Sequence, residues 1–193
     1  VRTSAVIDVI SSRRRSLPRD RAGYPVRLHG RGLIATAVQC RDGVAPDRRS
    51  IRADALRRWT VSDHGLHASV AHCGADAVVA LHPSAPVGVD LQDSRPRPLA
   101  LAWLGELVGL PGPCTIAQFA ECEALIKASH LTKETFHGVH LPAAAPGWRP
   151  MHDGYWVHTD VRPDGSAVAV VTTEPLPLRC SAIDGSTRFE EAA

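Results

Sequence analysis

Asp90, Gln92, Glu123, Lys127 and His72 are the residues of this chain whose types and spacing suit phosphate chemistry. Asp90 follows Val87-Gly88-Val89, small and branched apolar residues that predict a short strand with the carboxylate at its end, beside the core. A carboxylate there is costly unless it is paired, hydrogen-bonded or bound to a metal. Glu123 and Lys127 stand four residues apart, a spacing that puts both on one face of a predicted helix. A strand-end Asp brought against a helical Glu makes an oxygen-rich seat for a hard cation such as Mg2+, and a lysine close by suits phosphate. Plainer roles exist for each residue. Asp90 can cap the turn Asp90-Leu91-Gln92-Asp93, Glu123 can pair with Lys127, and His72 can be a hydrogen-bonded core histidine.

The elements around these residues read as follows. Residues 11–32 are rich in Arg, Ser, Pro and Gly and predict loop, Leu33 to Val38 predicts a strand, and Ile51 to Trp59 a brief helix. Leu66 to Cys73 and Ala77 to Leu81 flank Gly74-Ala75-Asp76 as a hairpin, and Val87 to Leu91 follows as a strand. Beyond the Pro- and Arg-rich linker 94–98, Leu101, Leu104, Leu107 and Val108 mark one face of a helix that Gly109 and Pro111 stop. Thr115 with Gln118 forms a capping box for the next helix, which leaves Glu121 and Glu123 on different sides. Tyr155 to Val161 and Ala167 to Thr172 read as strands joined by a turn containing Asp164-Gly165, and the tail after Pro175 is weakly patterned. The fold class is α+β.

Three segments occur in order: Ser69-Val70-Ala71-His72-Cys73, then Gly88-Val89-Asp90-Leu91-Gln92, then Phe119-Ala120-Glu121-Cys122-Glu123-Ala124-Leu125-Ile126-Lys127. Together they resemble the signature of the Sfp-type 4'-phosphopantetheinyl transferases, of which this chain would be a divergent member. The resemblance implies two pseudo-symmetric sheet-and-helix lobes around a central cleft, a shortened basic N-terminal lobe over 1–84 and a C-terminal lobe over 85–193. It implies Mg2+ held by Asp90, Glu123 and Gln92, and coenzyme A contacted by His72, Lys127, Ala71 and Asp90. Glu123, Lys127 and Asp90 would be the catalytic residues. The implied reaction is Mg2+-dependent transfer of 4'-phosphopantetheine from coenzyme A to a serine of an acyl or peptidyl carrier protein, by a cytoplasmic monomer.

Certain positions depart from the pattern. Gln92 replaces a metal-binding glutamate, Ala71 and Cys73 replace the serines flanking the histidine, and Arg57 to Ser62 lacks the glycine-lysine/arginine-proline segment of the adenine side. Two alternatives follow from them. The scaffold can be turned to other acid–base chemistry by His72, Glu123 and Lys127 on a small pathway intermediate, or the chain can bind a carrier protein without modifying it.

Composition narrows the classes further. A chain of 193 residues fits one large domain or two small lobes sharing a core. The five cysteines form an odd set without a C-x-x-C pair, which argues for a reducing compartment over a disulfide framework. No apolar run approaches the roughly eighteen residues of a membrane helix, and the first residues do not read as a signal peptide. The net charge of +2 conceals a division, with fourteen Arg and five Asp in residues 1–60 and an acidic excess beyond. Such a basic third attracts an acidic partner or a polyphosphate. Nucleic acid is disfavoured, because aromatic residues are only 5% and the basic third carries no stacking pair.

Overall fold

The computed structural model describes residues 5–13, 24–74 and 76–183. The Arg14-Arg15 part of the arginine run, most of the Arg- and Pro-rich stretch before residue 24, and the tail from 184 lie outside the described residues. The fold is mixed α+β, as expected. In chain order the elements are β1 (Ile7–Arg13), α1 (Tyr24–Asp42), β2 (Ile51–Ala53), β3 (Trp59–Val61), β4 (Leu66–Cys73), β5 (Asp76–His82) and β6 (Val87–Gln92). Then come α2 (Pro98–Leu107), α3 (Ile116–Ala128), β7 (Arg149–Pro150), β8 (Trp156–Val161), β9 (Ala167–Thr172) and β10 (Leu178–Ile183). One sheet has six strands in the order β10-β1-β5-β4-β3-β2, and a second has four in the order β6-β9-β8-β7.

Side-chain alternation explains how the layers stack. On β5, Ala77, Val79 and Leu81 pack with Leu33, Ile34, Ala37 and Val38 of α1. The intervening Val78 and Ala80 pack with Val87, Val89 and Leu91 of β6 and with Val168 and Val170 of β9. The opposite face of the second sheet, Ala167, Ala169 and Val171, meets Ala120, Ala124, Leu125 and Ala128 of α3. The order is therefore helix, sheet, sheet, helix, with β5, β6 and β9 covered on both faces. This is why β6 is buried from Val87 to Leu91 instead of alternating with solvent.

Two contacts set the position of β6. Gly88 lies so close to α3 that a β-carbon there would stand 1.9 Å from the Ala124 carbonyl oxygen. Upstream, His82 is fully buried. Its Nε2 donates to the Glu174 carbonyl at 2.9 Å, and its Nδ1 accepts from the Ser84 and Ala85 amides at 3.1 and 2.9 Å. Only the neutral ring can accept at Nδ1, so the crossover from β5 to β6 depends on an uncharged imidazole. The capping box at Thr115 forms as expected. The Thr115 hydroxyl accepts from the Gln118 amide at 3.2 Å, and Gln118 Oε1 accepts from the Thr115 amide at 2.9 Å.

Four expectations are corrected. Leu33 to Val38 is helical, and so is the part of the expected loop from Tyr24 onward. The buried set is Leu33, Ile34, Ala37 and Val38, with Gln39 and Cys40 exposed, a helical stripe that a strand's alternation cannot produce. Ile51 to Trp59 is not a helix but spans β2, a turn and the first residue of β3. Asp54 Oδ1 accepts from the Leu56 and Arg58 amides at 2.9 Å each, closing an Asp-centred turn that competes with helix. The end of β1 lies in the expected loop from residue 11 and β10 in a tail expected to be weakly patterned; the two pair in parallel, Ile7 opposite Leu178. Asp8 of β1 secures this arrangement, buried between Arg41 of α1 at 3.1 Å and Arg179 of β10 at 2.5 Å.

Gly88→Ala should cost about 3 kcal/mol or more in urea denaturation, because the blocking atom is backbone. Gly32→Ala, in α1 with nothing within 4 Å of its β-carbon, should gain up to about 1 kcal/mol. Equal midpoints for the two variants would contradict the close approach. Desolvation holds His82, His67, His72 and His158 below the ordinary imidazole value of 6.5. The unfolded chain then binds more protons than the fold, so the stability they confer is full above 6.5 and falls with pH below it. The urea midpoint should drop between pH 7 and 5, and a flat profile would contradict the neutral His82.

Candidate functional site

The site forms where the open edge of β6 meets α3. Among the described strands β6 is an edge strand, paired with β9 alone. The unpaired backbone groups of Val89 are met by side chains: its amide donates to Ser69 Oγ at 3.0 Å and its carbonyl accepts from Lys127 Nζ at 3.0 Å. Lys127 also donates to Asp90 Oδ1 at 2.6 Å. Gln92 Nε2 donates to Asp90 Oδ2 at 2.5 Å, so both carboxylate oxygens have a donor. Asp90 is buried and Lys127 half-buried, which makes the pair more than a surface ion pair.

Glu123 reaches the same place from one turn before Lys127. Burial and the facing charge of Asp90 push its carboxyl above the ordinary range, while Lys127 and Lys133 pull the other way. The Glu123–Lys127 pair open to the sequence does not form, because Lys127 reaches across to Asp90 instead. Among the described residues, Glu123 has no hydrogen bond or ion pair to a side chain. It is a half-buried carboxylate within electrostatic reach of Asp90. Like charges so placed favour a proton or a cation between them.

The other expected residues divide. Ala71 is buried, its methyl group in the core between the sheets, so it meets a ligand only through main chain. His72 is at the exposed end of β4, where partial desolvation and the Lys127 charge hold its ring neutral at pH 7. Gln92 turns its amide nitrogen, not its oxygen, toward Asp90. Glu121 is on the far side of α3, as expected. There it accepts from Arg149 at 2.6 Å and from Thr159 at 2.6 Å, and so fixes the rotation of the helix on β7 and β8.

Asp90 and Glu123 are the hard oxygen donors that a divalent cation takes. Gln92 in its present orientation is not. Among the described residues, no three His, Cys, Asp or Glu side chains converge as a metal cluster. Two thiols, Cys114 before α3 and Cys122 on it, are not nucleophiles. Burial pushes Cys114 up to about 11 and Cys122 upward as well, leaving both protonated at neutral pH.

Sequence reading missed Arg97 and Ser69. Arg97, in the expected linker, donates from Nη1 to Gln92 Oε1 and from Nη2 to Asp93 Oδ1 at 2.5 Å. Burial works against the Asp93 charge, but bonds from Cys73 and Arg95 and the Arg97 charge hold its carboxyl below the usual range. An Arg four residues after an Asp was the available signal. No protein-family model and no curated protein matches this chain.

Two substitutions test the charge arrangement. Lys127→Met leaves Asp90 Oδ1 and the Val89 carbonyl without their donor and should destabilise by about 2 kcal/mol. Glu123→Gln should have the opposite effect at neutral pH. An acid raised by folding contributes most below its unfolded value of 4.5, and that contribution is lost as pH rises through the folded value. The variant should therefore melt higher than the parent at pH 7 and alike at pH 4. A lower melting temperature for Glu123→Gln at pH 7 would contradict the facing carboxylates.

Proposed function

We propose that this chain is a divergent phosphopantetheinyl transferase, moving the 4'-phosphopantetheine arm of coenzyme A to a serine of an acyl or peptidyl carrier protein. The observation that supports it is the pair Asp90 and Glu123, carboxylates close enough for the charge of one to raise the other, of which Glu123 has no side-chain partner among the described residues. Asp90 and Glu123 would hold Mg2+, which when bound neutralises charge on a diphosphate. Glu123, directly or through water, would take the serine proton. Lys127 has spent two N–H bonds, on Val89 and Asp90, and keeps a third for the phosphate of the departing 3',5'-ADP. His72, neutral, can donate one N–H to the same phosphates. The basic balance of residues 1–60 would speed encounter with an acidic carrier.

The matching architecture is two pseudo-symmetric lobes about a cleft, divided near residue 84, in a cytoplasmic monomer. One helix on the outer face of each sheet supports it, α1 on the first and α3 on the second. β10 departs from a simple division, since it returns from the second half to the first sheet.

One observation favours a second reading. With both oxygens of Asp90 engaged by Lys127 and Gln92, Glu123 is left as an acid–base group for another small substrate. Mass spectrometry separates the two. Apo carrier proteins incubated with coenzyme A and Mg2+ should gain the mass of the arm, and Glu123→Gln should slow this about 10²–10⁴-fold. Mg2+ with coenzyme A should raise the melting temperature of the parent and much less that of Asp90→Ala. No mass gain with several carriers, no coenzyme A binding, and turnover of another substrate lost in Glu123→Gln would select the second reading.

A further inference from the structure

Arg97 controls which atom of Gln92 faces Asp90. A guanidinium only donates, so the Gln92 atom bonded to Arg97 Nη1 must be the amide oxygen. Ionised Asp90 only accepts, so the atom 2.5 Å from its Oδ2 must be the amide nitrogen. The orientation of the amide is thus fixed from both ends. A cation approaching Asp90 meets an N–H where it needs a lone pair, and Lys127 already covers the other oxygen.

We propose that Arg97 locks the cation seat at Asp90, and that a phosphate-bearing ligand releases it. This rests on the reading of Asp90 and Glu123 as cation ligands. A phosphate that draws the guanidinium off Gln92 lets the amide turn over, offering Oε1 to the cation and freeing Oδ2. Arginine suits the exchange, because its planar fork matches phosphate oxygens as well as it matches an amide and a carboxylate. The Arg97 side chain is 23% exposed, within reach of a ligand. Asp93 does not lose its charge partner when Arg97 leaves, since Arg95 Nε donates to its other oxygen at 2.5 Å. Phosphate and cation then favour each other's binding, by the reciprocity of linked equilibria.

The test measures Mn2+ affinity from the paramagnetic resonance signal of the free ion, with no substrate present. Arg97→Met should tighten Mn2+ binding about three- to tenfold, the scale of one hydrogen bond released. In a Gln92→Met background the same substitution should change little, because no amide remains to be held. Sulfate at constant ionic strength should tighten Mn2+ binding to the parent and not to Arg97→Met. Arg97→Ala replaces the methionine variant should that one not fold. Equal tightening in both backgrounds would reduce Arg97 to a repelling charge and overturn the lock, and so would no tightening in either. Absence of Mn2+ binding in every variant, Gln92→Met included, would overturn the cation reading of the site and the lock with it. Tight, sulfate-independent binding to the parent would overturn the lock alone.

Discussion

A strand and a helix in this protein touch through their backbones, with no side chain between them at Gly88 and Ala124. The rest of the site is measured from that contact. Asp90 is two residues along β6 on the same face, and Glu123 and Lys127 flank Ala124 on α3. A side chain at 88 would push the layers apart by more than the length of a hydrogen bond can absorb, and the 2.6 Å bond from Lys127 to Asp90 would be lost. The contact also explains why α3 carries alanine at 120, 124 and 128, where β6 and β9 approach. Small residues on both surfaces let the charged ones beside them meet.

Charge is buried in this fold only where it is shared. Asp8 joins α1 and β10 to the first sheet through two arginines, and Glu121 joins α3 to the second through Arg149 and Thr159. Each is paired with an arginine, although Asp8 Oδ2 and Glu121 Oε2 are buried without a hydrogen bond among the described residues. Glu123 differs, being half-buried and facing a like charge. Strain of this kind is common where a protein binds or reacts and uncommon where it only packs. β6 adds a second peculiarity. It is an edge strand whose free backbone groups at Val89 are covered by Ser69 and Lys127, so the edge is closed to pairing with another strand. Lys127 thus serves the sheet and the site with one ammonium.

Local signals made much of the fold legible. The turn at Gly74, the strands β4, β8 and β9, and the Thr115–Gln118 box each follow from residues within a few positions of one another. Leu33 to Val38 misled because six small or apolar residues fit either period, and only packing on β4 and β5 decides between them. Ile51 to Trp59 misled because the carboxylate of Asp54 outcompetes helical bonding. β1 and β10 carry little local pattern, and each is a strand largely because of a neighbour far away in sequence. At the site, residue types and their order along the chain pointed to the juxtaposition of Asp90, Glu123 and Lys127. The pairing within it did not follow, since which carboxylate Lys127 reaches depends on the approach of β6. Arg97 stayed hidden for the same reason.

The parallel pairing of β1 with β10 has a consequence for how the chain is made. β1 emerges first among the described strands and pairs with β5 early, yet its other flank waits for β10. During synthesis the segment Ile7-Asp8-Val9-Ile10 therefore presents an unpaired apolar margin, with Asp8 lacking Arg179, until β10, 171 residues later, has been made. Contacts of such separation close slowly. The interval exposes nascent protein to strand exchange between neighbouring copies on one message, and helpers that shield hydrophobic margins would act during that wait.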